Sequence, residues 1–414
     1  MLNMLRLKLQ YIFLFGLLPF QVHALGTGKS LPGTEPFDIA ISELLAKWDV
    51  PGASLAVAKD GKLVLAKGYG FSDKATNSLV NENTLFRMGS INKTLTAVIV
   101  MQLVEQGKVK LEDKAVSYFA KLGINPRLIE DSRIQDITVR QLLQHSAGFD
   151  RNLSGDHFFQ PRLRQISQRQ NSEPVTCQAI IKDTLETKLD FTPGERFAYS
   201  NTGYCMLGKI IEAATGNSYA EYTSQNVLQP VIGKDFLQGK SLASMPGETQ
   251  YFMYSGESNM RGAPGLSRWS VPTPYGSYSI ENMDAVGAWV ATPSDVLKFF
   301  LAIDGAKGPR LLQPSSLESM TSAPSMTSPS RANNYYGMGL YVYKDDRHLN
   351  WFHSGSQPGV QALALRTSAG YSWVVVFNTR PHPDKSAAFS REFDRALWNA
   401  ARNIKLWPSG DLFN

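Results

Sequence analysis

The strand-like runs of this 414-residue chain gather toward its two ends with helical sequence between them, and that order constrains the fold more than any single motif. Residues 52–58 and 63–69 are apolar runs joined at Asp60-Gly61, a dipeptide suited to the left-handed φ values of a tight hairpin turn. Toward the other end, 339–342, 350–353, 360–366 and 372–377 read as further strands. Helical periodicity marks 37–48, through Phe37, Ile41, Leu44, Leu45 and Trp48, and a last helix is expected over 386–402. A regular βαβ alternation would imply a parallel sheet, whereas this distribution implies an antiparallel sheet built from both ends of the chain. The expected fold class is α/β in the α+β sense: an antiparallel sheet flanked by helices, with a mostly helical lobe, about residues 108–285, inserted beside it.

Local signals fill in the middle. The stretch 95–104 is largely apolar, so its helix is expected inside the protein, and Gly107 ends it. Thr138-Val139-Arg140-Gln141 has the form of a capping box. Residues 151–176 are polar and rich in Arg and Gln, and are expected to be a loop or insertion. A helix is expected over 202–214, and Thr292-Pro293-Ser294-Asp295 opens another with Pro at its first position. The stretch 237–282 is dense in Gly, Ser, Pro and aromatics without period; with 151–176 it is expected to wall a cleft.

Residues 1–24 read as a signal peptide. Arg6 and Lys8 precede an apolar run over 11–20, and Val22-His23-Ala24 offers small residues for cleavage after Ala24. That run is too short to span a bilayer, and nothing later approaches the roughly 18 apolar residues a span requires. The expected organisation is a signal peptide (1–24), a linker (25–36), one domain (37–404) and a tail (405–414), exported to the periplasm or secreted. Export leaves Cys177 and Cys205 two readings, a disulfide or small buried hydrophobes. The formal charge of +6 includes two charges in the leader, and no dense Lys/Arg tract supports nucleic-acid binding.

Three polar motifs carry the chemistry. Ser90-Ile91-Asn92-Lys93 places a hydroxyl and an amine three residues apart on one helix face, where a desolvated lysine can take the proton of a serine nucleophile. Tyr199-Ser200-Asn201 offers a phenol, expected to have its pKa lowered by a neighbouring ammonium, and an amide suited to a substrate amide or to Lys93. Alternatively Tyr199 only packs its ring. His353-Ser354-Gly355 ends a strand, expected at a sheet edge. The amides of Ser356 and Ser90 would form an oxyanion hole, and Gly355 would let substrate approach the backbone. His353 has two readings, a holder of a substrate carboxylate or a satisfied structural histidine. His145 is expected to be a structural hydrogen-bonder at a helix end. No metal-binding, phosphate-loop, dinucleotide or Gly-x-Ser-x-Gly signature is present, so no cofactor is expected.

In order and spacing these motifs resemble the penicillin-recognising serine hydrolases: class C β-lactamases, D-Ala-D-Ala carboxypeptidases and related esterases and D-aminopeptidases. Segments 86–94, 137–148, 191–201, 287–299, 336–339 and 353–359 are similar to signatures of that family, over about residues 37–400. The resemblance implies Ser90 as the acylated nucleophile, Lys93 and Tyr199 sharing proton transfer, and Asn201, His353, Gly355 and Ser356 binding substrate. The implied substrate is a small molecule, peptide or ester. A class C β-lactamase usually carries Lys-Thr-Gly where this chain has His353-Ser354-Gly355, which favours a peptidase or esterase. A β-lactamase and a penicillin-binding receptor that does not turn over are the alternatives.

Overall fold

The computed structural model describes residues 26–125, 129–253, 259–327 and 331–413; the leader reading for 1–24 lies outside the described residues. Strand β1 (Thr27–Ser30) precedes helix α1 (Glu35–Trp48), and β2 (Gly52–Lys59) and β3 (Lys62–Asp73) form a hairpin. Its turn residues Asp60 and Gly61 both take positive φ, 51° and 77°, the conformation anticipated from the dipeptide. The helix of the Ser-x-x-Lys motif is α2 (Asn92–Glu105), followed in the helical middle by α3 (Val139–Leu143), α4 (Arg162–Gln170), α5 (Cys177–Leu185) and α6 (Asn201–Thr215). Then come α7 (Pro293–Ile303), strands β4 (Asn334–Tyr336), β5 (Tyr341–Lys344), β6 (Leu349–Gln357), β7 (Val360–Thr367) and β8 (Tyr371–Phe377), and the closing α8 (Pro383–Asn403).

The strands pair in the order β1-β3-β2-β8-β7-β6-β5-β4, all antiparallel. The two ends of the chain meet where β2 runs against β8, with Val57 opposite Trp373 and Leu55 opposite Val375. Alternation along β8 separates the two faces. Trp373, Val375 and Phe377 pack with Phe37 and Ile41 of α1 and Phe389 and Phe393 of α8, while Val374 and Val376 join the larger core that contains α2 and α7. Residues Leu95 through Met101 of α2 are all buried, as their largely apolar character requires, with Thr96 bonded to the Asn92 and Ala285 carbonyls.

Three expectations change. Residues 27–30, read as linker, form the edge strand β1, with Thr27 opposite Gly68. The segment read as a tail packs back on the sheet: Leu412 N–H donates to Leu63 O (2.8 Å) and Asp411 pairs with Lys307 (2.6 Å). The polar segment 151–176 contains α4, which turns Leu163 and Ile166 inward. Cys177 and Cys205 form a disulfide that ties α5 to α6.

Candidate active site

A short strand, Phe86–Arg87, pairs with Val290–Ala291 and delivers the chain to the first motif. Gly89 takes φ +52°, and Gly89–Ile91 makes one 3-10 turn before α2. The helix therefore opens two residues after Ser90, yet the turn keeps Ser90 and Lys93 together. Lys93 Nζ lies 3.1 Å from Ser90 Oγ and donates to Val286 O at 2.9 Å. Lys93 is fully buried, and that burial pushes its pKa well below the usual lysine range; the nearby Asp156 opposes the shift and Arg151 reinforces it. Burial thus shifts the balance toward the neutral amine, whose lone pair would lie beside the serine hydroxyl.

Tyr199 lies beside that amine, its ring centroid 5.1 Å from Lys93 Nζ. The expected lowering of its pKa is reversed. Burial pushes the phenol well above its ordinary value and outweighs the opposing hydrogen-bonding influence of Ser90. The ammonium that was to lower it is itself disfavoured, so the phenol stays protonated. Its hydroxyl is buried without a partner of good hydrogen-bonding geometry, an arrangement that costs free energy.

His145 fixes this segment. It takes φ +54° just past α3; its carbonyl accepts from Ala198 N–H (2.8 Å) and its Nδ1 accepts from Ser200 N–H (3.1 Å). The two bonds bracket Tyr199, whose ring lies 4.2 Å from the imidazole. Because Nδ1 accepts, the proton of the neutral ring is on Nε2. The structural role expected of His145 is thus a positioning role.

Asn201 begins α6, and its Nδ2 donates to Asp156 Oδ2 at 2.7 Å while its Oδ1 is buried without a partner. Asp156 was not legible as a site residue, nor was Arg151. Arg151 lays its guanidinium 4.9 Å from the Tyr199 ring centroid and 4.0 Å from Asp156 Oδ2. Both lie in the polar segment expected to wall the cleft, where no periodicity or motif distinguishes them.

The third motif lies on β6. This strand is not an outer edge of the sheet, but β5 reaches only to Tyr341 opposite Phe352, so 353–357 pair with β7 alone and leave their other side to the Ser90 turn. A Cβ on Gly355 would collide with the Met88 carbonyl oxygen, so the glycine here admits the protein's own backbone. The backbone nitrogen of Ser356 lies 3.0 Å from the point a Cβ on Gly89 would occupy, which sets that nitrogen beside the turn carrying Ser90. His353 is buried with both ring nitrogens engaged. Its Nδ1–H donates to Ser354 O (2.7 Å), its Nε2 accepts from the Tyr336 hydroxyl (3.1 Å), and burial lowers its pKa to about 3. Tyr336, which appeared in the sequence only within a family signature, is therefore the residue that holds His353. A cavity of about 1340 Å³ opens among Phe352, Ser354, Leu363 and Trp398; neither Ser90 nor Lys93 lines it, so cavity volume does not locate the chemistry.

With this geometry in hand the relationships of the chain follow. A family model described as Beta-lactamase matches residues 37–396. The chain belongs to this beta-lactamase family. With it come the penicillin-recognising serine hydrolases as the wider group and the sheet-and-helix fold already described. Protein flp of Staphylococcus aureus (strain MW2) is 25% identical over 347 residues, covering 83% of this chain and 63% of that protein, so the chain spans less than two thirds of that relative's length. Among solved structures, the octameric penicillin-binding protein homologue from Pyrococcus abyssi is 26% identical with a TM-score of 0.66, covering 88% of this chain and 76% of that one. The D-amino acid amidase from Ochrobactrum anthropi SV3 shares the fold at a TM-score of 0.70 and 22% identity, covering 91% of this chain and 100% of that one. Among the described residues no group of three or more His, Cys, Asp or Glu side chains is arranged to hold a metal ion, and no helix is long and apolar enough to cross a membrane.

Proposed function

We propose that this chain is an exported serine hydrolase that cleaves an amide or ester of a small molecule or peptide through an acyl-enzyme on Ser90. The observation that carries the reading is the buried Lys93 amine 3.1 Å from Ser90 Oγ. The Lys93 lone pair takes the hydroxyl proton as Oγ bonds to the substrate carbonyl carbon. The amides of Ser90 and Ser356 receive the oxygen that becomes negative; each such donor is worth about 3–4 kcal/mol of transition-state stabilisation. Tyr199, kept protonated by burial, gives its proton to the departing nitrogen or oxygen and recovers one from the Lys93 ammonium. Water then attacks the acyl group with the proton transfers reversed. Asn201 Oδ1, buried and unpartnered, is available to an N–H of the substrate.

A peptidase, carboxypeptidase or esterase is favoured over a β-lactamase because the third motif supplies a neutral histidine where a point charge would hold a β-lactam carboxylate. Export is supported by the leader-like residues 1–24 and by the disulfide, a bond at home in oxidising compartments. The test is turnover of 4-nitrophenyl esters, D- and L-amino-acid amides, D-Ala-D-Ala peptides and nitrocefin by the wild type and by Ser90→Ala. Serine-dependent turnover of an ester or D-residue amide is expected. Rapid nitrocefin hydrolysis as the dominant activity would identify a β-lactamase instead, and an acylated protein that persists for hours would identify a receptor.

A further inference from the structure

Charge is unevenly distributed around Ser90 and Lys93. On β6 His353 is neutral and both its ring nitrogens are engaged. Lys93 is buried and disposed to be neutral. Arg151 comes from the helical middle of the chain, and its guanidinium lies over the Tyr199 ring, 4.9 Å from the centroid. The side chain is 47% exposed. Among the described residues its one ion pair is with Asp156, at 4.0 Å and beyond hydrogen-bonding distance. Asp156 is occupied, accepting from Asn201 Nδ2 (2.7 Å) and from Phe158 N–H (3.1 Å). The field of Arg151 reaches Lys93, His145, Tyr199 and Tyr341, four cleft groups from four parts of the chain. A merely solvated arginine would not be laid against the phenol of the reacting centre.

We infer that Arg151 is a substrate-binding residue that receives an anionic group, a carboxylate, on the acyl or the leaving part of the substrate. This rests on the serine-hydrolase reading and adds to it the charge of the preferred substrate. A carboxylate approaching the half-exposed Arg151 side chain meets a planar guanidinium whose N–H groups can bond both its oxygens. Lys93 also acts on His145 and His353 but is itself buried, so the preference depends on the half-exposed Arg151.

The experiment compares mono-4-nitrophenyl glutarate with neutral 4-nitrophenyl valerate, and an acyl-D-Ala-D-Ala peptide with its C-terminal amide, in the wild type and in Arg151→Gln, Arg151→Lys and Arg151→Glu. Expected is a roughly tenfold fall in the anionic-to-neutral ratio of kcat/KM in Arg151→Gln, carried mainly by KM. Arg151→Lys should retain most of the ratio, Arg151→Glu should invert it, and high salt should shrink it. A change in the ester pair places the carboxylate on the acyl part; a change in the peptide pair places it on the leaving part. A ratio that Arg151→Gln leaves unaltered in both pairs overturns the inference. Calorimetric binding of the glutarate and valerate esters to Ser90→Ala, with and without Arg151→Gln, reads the same ratio without turnover. Loss of the serine-hydrolase reading would show instead as turnover that survives Ser90→Ala.

Discussion

Lys93 Nζ lies 3.1 Å from Ser90 Oγ and 2.9 Å from the Val286 carbonyl oxygen, with no surface exposed to water. The carbonyl engages an N–H of the amine, and burial removes the solvent that would stabilise its charged form. Substituting Lys93→Arg keeps length and cation but introduces a group that does not lose its proton. It should therefore lower kcat/KM at least about 100-fold, the lower range for loss of a positioned base. Steady-state kinetics on a serine-dependent substrate reads this directly; retention of more than a tenth of the activity would contradict the assignment of the base.

The same burial sets a pH dependence. A lysine with a depressed pKa becomes a free amine at lower pH than usual, so kcat/KM should rise with pH and level off well below the ordinary lysine pKa of about 10.4. A rate that keeps climbing tenfold per unit toward pH 10 would show an unperturbed lysine.

Tyr199 is assigned to the leaving group. Nitrophenolate departs without a proton, whereas an amide nitrogen needs one. Tyr199→Phe should accordingly depress amide hydrolysis by about 100-fold or more while affecting 4-nitrophenyl esters considerably less. Equal losses on both substrate types, measured side by side, would remove Tyr199 from that role.

His145 and His353 should be neutral and of opposite tautomer, protonated at Nε2 and Nδ1 respectively. Burial lowers both pKa values, that of His353 to about 3, so neither ring should gain a proton between pH 7 and 5. Nitrogen-detected NMR of histidine-labelled protein would show this as unchanging ring shifts of two tautomeric types. A ring of either residue with a midpoint near 6.5 would contradict it.

Gly355→Ala should do more harm than its size suggests. The added methyl meets the Met88 carbonyl and pushes β6 away from the Ser90 turn. A loss of about 1–3 kcal/mol is expected from overpacking, together with impaired acylation of Ser90; wild-type melting and wild-type acylation would show that the two backbones are not so closely apposed.

Much of this architecture is written in local patterns, and what is not has physical reasons. The β2–β3 hairpin is legible because Asp60-Gly61 supplies two left-handed residues, and α2 because its sequence is largely apolar. Thr27-Gly28-Lys29-Ser30 carries no such mark: an edge strand can form through main-chain bonds to one neighbour, which side chains barely record. Helix α4 is hidden because two inward residues, Leu163 and Ile166, anchor a segment otherwise made of Arg, Gln and Ser. In the site, Ser90, Lys93 and Tyr199 are visible as residue types at set spacings. The direction of the Tyr199 shift and the neutrality of His353 are not, since both follow from burial by residues distant in the chain. Arg151 and Asp156 meet Tyr199 and Asn201 only because the loop folds across α6.

The account stands on Ser90 as the atom that becomes acylated. Intact-mass spectrometry after treatment with a fluorophosphonate or a penicillin, followed by peptide mapping, tests it most directly. One adduct per chain on the peptide containing Ser90, absent from folded Ser90→Ala protein, is the expected result; equal labelling of the two proteins would contradict it.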